Sequence, residues 1–299
     1  MIIIDHLLIG AAIGIAIDPN KPEIIGITIL GSILPDIDTL LAKPGSINYL
    51  IKHRTVTHSL FLSPIYALII ALIFKLIFFD QTFIVFFSCA FIGILSHLLV
   101  DAFNSFGTML FYPFNNNKIA LDLIYEFDPF ISLLFLLMTF EFYFFSNKIS
   151  TLVLVLNLLA ILSYYLSRII SKKMFAHKMK KQFPVFMTNV ENPTIVPAKY
   201  WRWKAIVIKN NSNHILRTIN KELVIESRSI REIPECFMNS DIQKYKDYAR
   251  VLDVYYTESE LVLKNLIYSP SVYTLRMGIN GPNSGEISIS LPNIKYDDY

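Results

Sequence analysis

Apolar residues arrive in blocks through the first 170 positions and thin out afterwards. Residues 6–17 and 23–34 are two short blocks, the first stopped by Asp18-Pro19-Asn20 and the second by Pro35. Each is about 12 residues, or roughly 18 Å as a helix, which is short for a bilayer span. Gly10, Gly14, Gly26 and Gly31 in these blocks allow close backbone approach. Four longer runs follow, at Leu60–Phe79, Thr82–Val100, Pro129–Phe145 and Ile149–Ile170, each long enough to cross a membrane. Asp80-Gln81 and Ser146-Asn147-Lys148 read as the turns within the two pairs. In the third run, Thr57 or Ser59 reads as the helix cap, and Lys75 can snorkel from the far end. The pattern predicts a membrane all-α bundle of about six helices, two short and four longer.

The remainder has a different texture. Residues 171–181 are a basic juxtamembrane segment without an acid, and 182–299 have an ordinary mixed composition. Tyr200–Ile208, Tyr273–Ile279 and Glu286–Leu291 read as strands, while 228–250 carry short helix-like pieces. The expected organisation is therefore a membrane domain at 1–170, the basic segment, and a small soluble β-containing domain at 182–299. Overall the chain is 54% hydrophobic and 17% charged, far from the balance of a soluble domain. Its net charge of +3 gives no reason to expect a nucleic-acid partner. Cys89 and Cys236 are too few and too distant to form a disulfide framework. No basic stretch precedes the first apolar block, so the N-terminus is expected to belong to the mature fold.

What changes this picture is where the polar residues sit. Four short pieces interrupt the apolar first third: Asp5-His6, PDID at Pro35–Asp38, HRTVTH at His53–His58, and HLLVD at His97–Asp101. His97 and Asp101 are four apart and share a helix face. Asp36 and Asp38 share a face if extended, and a turn can also point both inward. His53 and His58 do not align on one helix, but converge if His53 lies in the connection. Unpaired polar groups are costly at the end of an apolar helix, so an idle His97 is disfavoured. His6, Asp36, Asp38, His53, His58, His97 and Asp101 make seven candidate metal ligands, too many for one tetrahedral zinc. Zinc suits the set best, with Mn2+, Fe2+ or Mg2+ as alternatives, and one or two ions are open. By the positive-inside rule the basic segment is cytoplasmic, and counting spans back from it puts all four pieces on that side. The loop at 101–128 lies there too and is too aromatic to be a free linker. Bland roles suffice elsewhere: solvated His177, His214 in a polar loop, Glu126 and Asp128 at a helix start, and Trp201 and Trp203 in packing.

Taken in order, Asp5-His6, LPDID, HRTVTHS and HLLVDAFNSFGTMLFYPF resemble the bacterial inner-membrane proteins described as membrane-bound metal-dependent hydrolases, the YdjM type. The layout with a soluble tail is most similar to the YfhP-like branch. The motifs cover about residues 5–114. The resemblance implies the seven residues above as the metal set, and a multi-pass protein of the bacterial cytoplasmic membrane with its C-terminal domain in the cytoplasm. The expected activity is metal-dependent hydrolysis at the cytoplasmic face, on a membrane lipid or lipid-linked ester or phosphoester. Asp38 or Asp101 would take the proton from water. Arg54 would hold an anionic group, or serve only as a positive-inside charge. The alternative is a non-enzymatic membrane protein with a structural or sensory metal site and a partner-binding tail.

Overall fold

The computed structural model describes residues 3–40, 52–125, 128–144, 151–188, 190, 193–199, 201–209, 212–219, 222–229, 233, 235–250, 252–256, 260–266, 274–278 and 287–290. The expected turn at Ser146-Asn147-Lys148, most of the connection at 39–52, and Glu126 lie outside them. The chain divides into two units, one drawn from Met1–Leu41 and His53–Ile170, the other from Ser171 onward. The architecture is an all-α region of about six helices followed by a separate β-rich domain.

Helix α1 (Ile3–Ile17) and helix α2 (Pro22–Ile33) form a hairpin. The Asp18 carboxylate accepts from Asn20 N–H in the turn, and Pro22 opens α2. Pro35 cannot continue the α-helical ladder, and the chain tightens into a 3-10 helix at Leu34–Leu40. A second 3-10 turn, Val56–His58, precedes helix α3 (Ser63–Ile77). Neither Thr57 nor Ser59 caps α3 as expected. Its N-cap is Leu62, without a side-chain bond, and Pro64 sets the start. Lys75 instead donates to the carbonyls of Phe79 and Gln81, covering the chain just past the end of α3.

Among the described residues, helix α4 (Phe83–Ala102) and helix α6 (Thr151–Gln182) are the two helices long and apolar enough to cross a membrane. Between them lies helix α5 (Pro129–Phe144); α3 and α5 have 15 and 16 residues, shorter than the runs that predicted them. Leu133, Leu136, Leu137 and Phe140 of α5, and Leu152, Leu156, Leu159 and Leu162 of α6, are all exposed. Such an apolar exterior suits helices solvated by lipid rather than water. Inside, α2 and α4 touch backbone to backbone. A Cβ on Gly93 would lie 2.5 Å from the Thr28 carbonyl oxygen and 3.0 Å from Ser32 N, so only glycine fits. Gly26 plays no such part, since its added Cβ would meet only the Phe74 ring at 3.8 Å.

Helix α6 does not stop at Ile170. No glycine or proline interrupts it before Pro184, and it runs through the basic segment to Gln182. In the second unit its last turns, with Phe175 and Met179 buried, and the short helix α7 (Pro184–Met187) pack on an antiparallel meander. That sheet consists of β1 (Thr194–Lys199), β2 (Arg202–Lys209), β3 (Ser212–Ile219) and β4 (Glu222–Ser229). Trp203 is buried in its core and Trp201 is exposed. His214 sits in β3, with Nδ1 2.7 Å from Ser227 Oγ, and not in a loop as expected. A second meander, β5 (Leu252–Tyr256), β6 (Glu260–Asn265), β7 (Thr274–Gly278) and β8 (Ile287–Ser290), packs on helix α8 (Ser240–Tyr248) through Ile242 and Tyr245. The Asn239 side chain caps α8 by accepting from the N–H groups of Asp241 and Ile242.

Candidate metal centre

One end of the first unit gathers the polar pieces. His6 lies in the first turns of α1, Asp36 and Asp38 follow α2, His58 precedes α3, and His97 and Asp101 occupy the last turns of α4. All of them are buried. The 3-10 geometry at Leu34–Leu40 determines how the two aspartates part. At three residues per turn, positions two apart point about 120° away from each other. Asp36 therefore turns to His58 and His97, and Asp38 turns to His53 and Thr57.

Four donor atoms converge. His58 Nε2 is 3.1 Å from His97 Nε2, 3.5 Å from Asp36 Oδ1 and 3.5 Å from Asp101 Oδ2. His97 Nε2 is 3.5 Å from Asp36 Oδ1 and 3.6 Å from Asp101 Oδ2. Ligands about 2.0–2.1 Å from one ion at tetrahedral angles stand about 3.3–3.4 Å apart. The observed separations bracket that edge, so the set fits a divalent ion such as zinc. Asp36 Oδ1, in the middle of this group, is buried with no hydrogen bond. Asp36, Asp38 and His53 form a second, overlapping group of candidate donors.

The far nitrogens of both central rings are tied. His97 Nδ1 lies 2.6 Å from the Ser32 carbonyl, which can only accept, so the proton sits on Nδ1. His58 Nδ1 is 3.0 Å from Thr57 Oγ1, whose own proton goes to Asp38 Oδ2 at 2.8 Å. Both Nε2 lone pairs then face each other at 3.1 Å, an arrangement that calls for a cation between them. Ordered second partners of this kind hold ligand imidazoles in tautomer and orientation. Burial alone would push His58 down, but the carboxylates of Asp101 and Asp36 outweigh it and raise its pKa. Burial likewise favours neutral Asp36 and Asp38, yet the facing imidazoles of His58 and His97, and the hydrogen bond from His53, hold the two below the usual carboxylate range. Burial keeps His53 below its ordinary value, despite the Asp38 hydrogen bond at 2.9 Å that raises it.

His6 stands beside this centre rather than in its four-atom core. Its ring stacks on His97 at 3.7 Å, and Nε2 lies 3.4 Å from Asp101 Oδ1. Neither His6 nitrogen makes a hydrogen bond. Arg54 does not present itself to an outside anion, as the sequence had suggested. It is 3% exposed, with Nε 3.0 Å from Asp101 Oδ2 and Nη1 donating to Asn104 Oδ1 at 2.8 Å. Its backbone has φ 63°, a conformation rarely adopted outside glycine, and its N–H donates to Asp38 Oδ2 at 2.9 Å.

The segment after α4 closes the centre. Asn104 is wholly buried and links Asp101 to Arg54. The Arg54 carbonyl accepts from Met109 N–H at 3.1 Å, and Leu60 N–H donates to the Leu110 carbonyl at 2.9 Å. Thr108 pairs with Ile119 in both directions, at 3.0 and 2.9 Å. Gly107, at φ 65°, makes this possible, because a Cβ there would lie 2.6 Å from the Ile119 oxygen. Next to that bridge, Lys118 Nζ donates to the His53 carbonyl at 2.8 Å. Burial, then the Arg54 charge, brings its amine down to about 8. Asn104, Thr57 and Lys118 were not among the predicted site residues. Thr57 and Asn104 do fall within the quoted HRTVTHS and HLLVDAFNSFGTMLFYPF motifs, while for Lys118 the signal was that the 101–128 segment is too aromatic for a linker. Asp128 does begin a helix, accepting from Phe130 N–H, and it also accepts from the Tyr164 hydroxyl.

The chain is similar to known proteins. A family model described as "YdjM inner membrane protein" matches residues 1–175. "Uncharacterized protein YfhP" of Bacillus subtilis (strain 168) is 29% identical over 231 residues, covering 74% of this chain and 69% of that protein. No solved structure matches the chain.

Proposed function

The chain belongs to the YdjM inner membrane protein family, bacterial inner-membrane proteins with several membrane-spanning helices, and from this premise we propose a metal-dependent hydrolase working at the cytoplasmic face. Its substrate is a membrane lipid or a lipid-linked ester or phosphoester. The observation that carries this reading is the convergence of donor atoms of His58, His97, Asp36 and Asp101, all within 4.8 Å of one another. These four residues would hold one divalent ion. A divalent ion there supplies Lewis acidity and brings the pKa of water to about 7.

The surrounding residues have separate tasks. Arg54 offsets the Asp101 charge, and Asn104 fixes both. His6 supports Asp101 from its other oxygen and stacks on His97. Of the two aspartates expected to accept a proton, Asp101 is crowded by Arg54, Asn104 and three imidazoles. The task falls to Asp38 with His53, whose side chain is 21% exposed and so the solvent-reaching part of the cluster. Asp38 already accepts from Arg54 N–H and the Thr57 hydroxyl, which leaves it a poor ligand for a second ion. The cytoplasmic side is supported by α6. Arg168, the first cation of the basic flank, donates from Nε to the Leu123 carbonyl at 2.9 Å, in the loop that closes the centre.

A structural ion is the second reading, and one observation favours it: four protein donors are enough to close a tetrahedral site, whereas catalytic sites keep a position open. One experiment separates the two. Purified protein should contain about one zinc or cobalt ion per chain by elemental analysis, and His58→Ala and His97→Ala should each lose most of it. In the cobalt-substituted protein, added azide should change the visible spectrum if a position is open. Full metal content in both variants sinks the centre; an azide-insensitive spectrum selects the structural ion.

A further inference from the structure

We infer that Lys118 is the anion-recognition residue of this centre and that the group it receives is a phosphoester rather than a neutral ester. The inference rests on the metal-centre reading above and narrows its substrate class. Three observations carry it. First, Lys118 Nζ is fastened to the carbonyl of His53, the residue on the open side of the cluster. Second, Arg54, the cation beside the four donor atoms, faces inward and is held by Asp101 and Asn104. Third, the segment bearing Lys118 is built to hold it there, through the Thr108–Ile119 bridge, the close approach at Gly107, and Thr108 Oγ1 donating to the His58 carbonyl at 3.5 Å.

Charge then selects the ligand. Among the side chains of the cluster, the carboxylates of Asp36, Asp38 and Asp101 stand against Arg54 and Lys118, one net negative charge with the imidazoles neutral. A divalent ion turns this into one net positive charge in a largely buried site, where Coulomb interactions are weakly screened. A neutral carboxylic ester gains little from that field. A phosphate group, with one or two negative charges, is drawn to it. Lysine serves such a group as a point charge on a flexible stem, here tied beside the partly exposed His53.

The probe is inorganic phosphate, titrated calorimetrically into the full-length, zinc-loaded protein in detergent. Phosphate should bind the wild type, and Lys118→Met should weaken it about tenfold or more, as loss of a charge-assisted hydrogen bond implies. Zinc content should be unchanged, and Lys118→Arg should retain affinity within a few-fold. Lys118→Gln is the second neutral variant if Lys118→Met fails to fold. A parallel titration compares phosphatidic acid with diacylglycerol in nanodiscs. Tighter binding of phosphatidic acid than of free phosphate marks a lipid phosphoester, and equal binding marks a soluble one; both support the inference. It is overturned if the zinc-loaded wild type ignores phosphate, if neutral variants bind it as tightly as the wild type, or if both neutral variants lose zinc. A protein without zinc instead fails at the metal centre itself, before phosphate is tested.

Discussion

His58 faces two carboxylates and a second imidazole within 3.6 Å, and its own far nitrogen is already tied to Thr57. Without an ion, a proton relieves this crowding, which is why its pKa lies above the ordinary histidine value despite complete burial. Metal and proton therefore compete for the same nitrogen. The protonated form prevails below the raised pKa, so metal affinity should be full above it and fall as pH drops through it. Calorimetric zinc titrations between about pH 5 and 8 should show affinity declining toward acid, with proton release on binding. Affinity independent of pH across that window would remove the proton from this account. At this scale the sequence exposed the cluster's ionisable members, because a histidine or aspartate inside an apolar run stands out. It could not expose their tethers. Ser32 acts on His97 through its carbonyl, which every residue type carries, and Asn104 and Lys118 come from a loop without periodicity.

At the level of elements, the centre depends on how closely α2 and α4 approach. The Ser32 carbonyl reaches His97 because Gly93, one turn earlier on α4, lets the two backbones meet. Gly93→Ala places a methyl 2.5 Å from the Thr28 oxygen, and neither backbone can yield without parting the helices. Destabilisation of about 1–3 kcal/mol is expected, with reduced metal content as His97 loses its tether. Gly26→Ala is the control, expected within about 0.5 kcal/mol, because its methyl would meet only the Phe74 ring at 3.8 Å. Thermal unfolding and elemental analysis in detergent read both effects; equal behaviour of the two variants would refute the argument. The glycines of α1 and α2 were visible in the sequence, but which of them face a partner backbone depends on helix rotation. The 3-10 form of Leu34–Leu40 was also hidden, since Pro35 announces only that an α-helix must end. In the second unit β3 and β4 set only short apolar stretches, Ile215-Leu216 and Leu223-Val224-Ile225, among charged and polar residues, which a search for longer β-branched runs passes over.

For the whole molecule, orientation across the membrane decides what the centre can meet. The starts of α1 and α3 and the ends of α2 and α4 converge on it, so these four helices share one polar end. Helix α6 reaches the same level at Arg168 and continues, without a break, through Lys172, Lys173, Lys178, Lys180 and Lys181. The sequence placed a helix end at Ile170 because hydropathy falls there; the backbone has no reason to stop until Pro184. Six cations lie on this flank, counting Arg168, and the proposed orientation, by the positive-inside rule, has it on the cytoplasmic side and the turn at Asp80 between α3 and α4 on the outer side. In a background with the exposed Cys236 replaced by serine, a cysteine at His177 should react with a membrane-impermeant maleimide only after the cells are opened. A cysteine at Asp80 should react in intact cells. The reverse pattern would turn the centre outward and remove cytoplasmic lipids and phosphoesters from its reach, whereas the expected pattern leaves His53 and Lys118 facing the inner leaflet's headgroups.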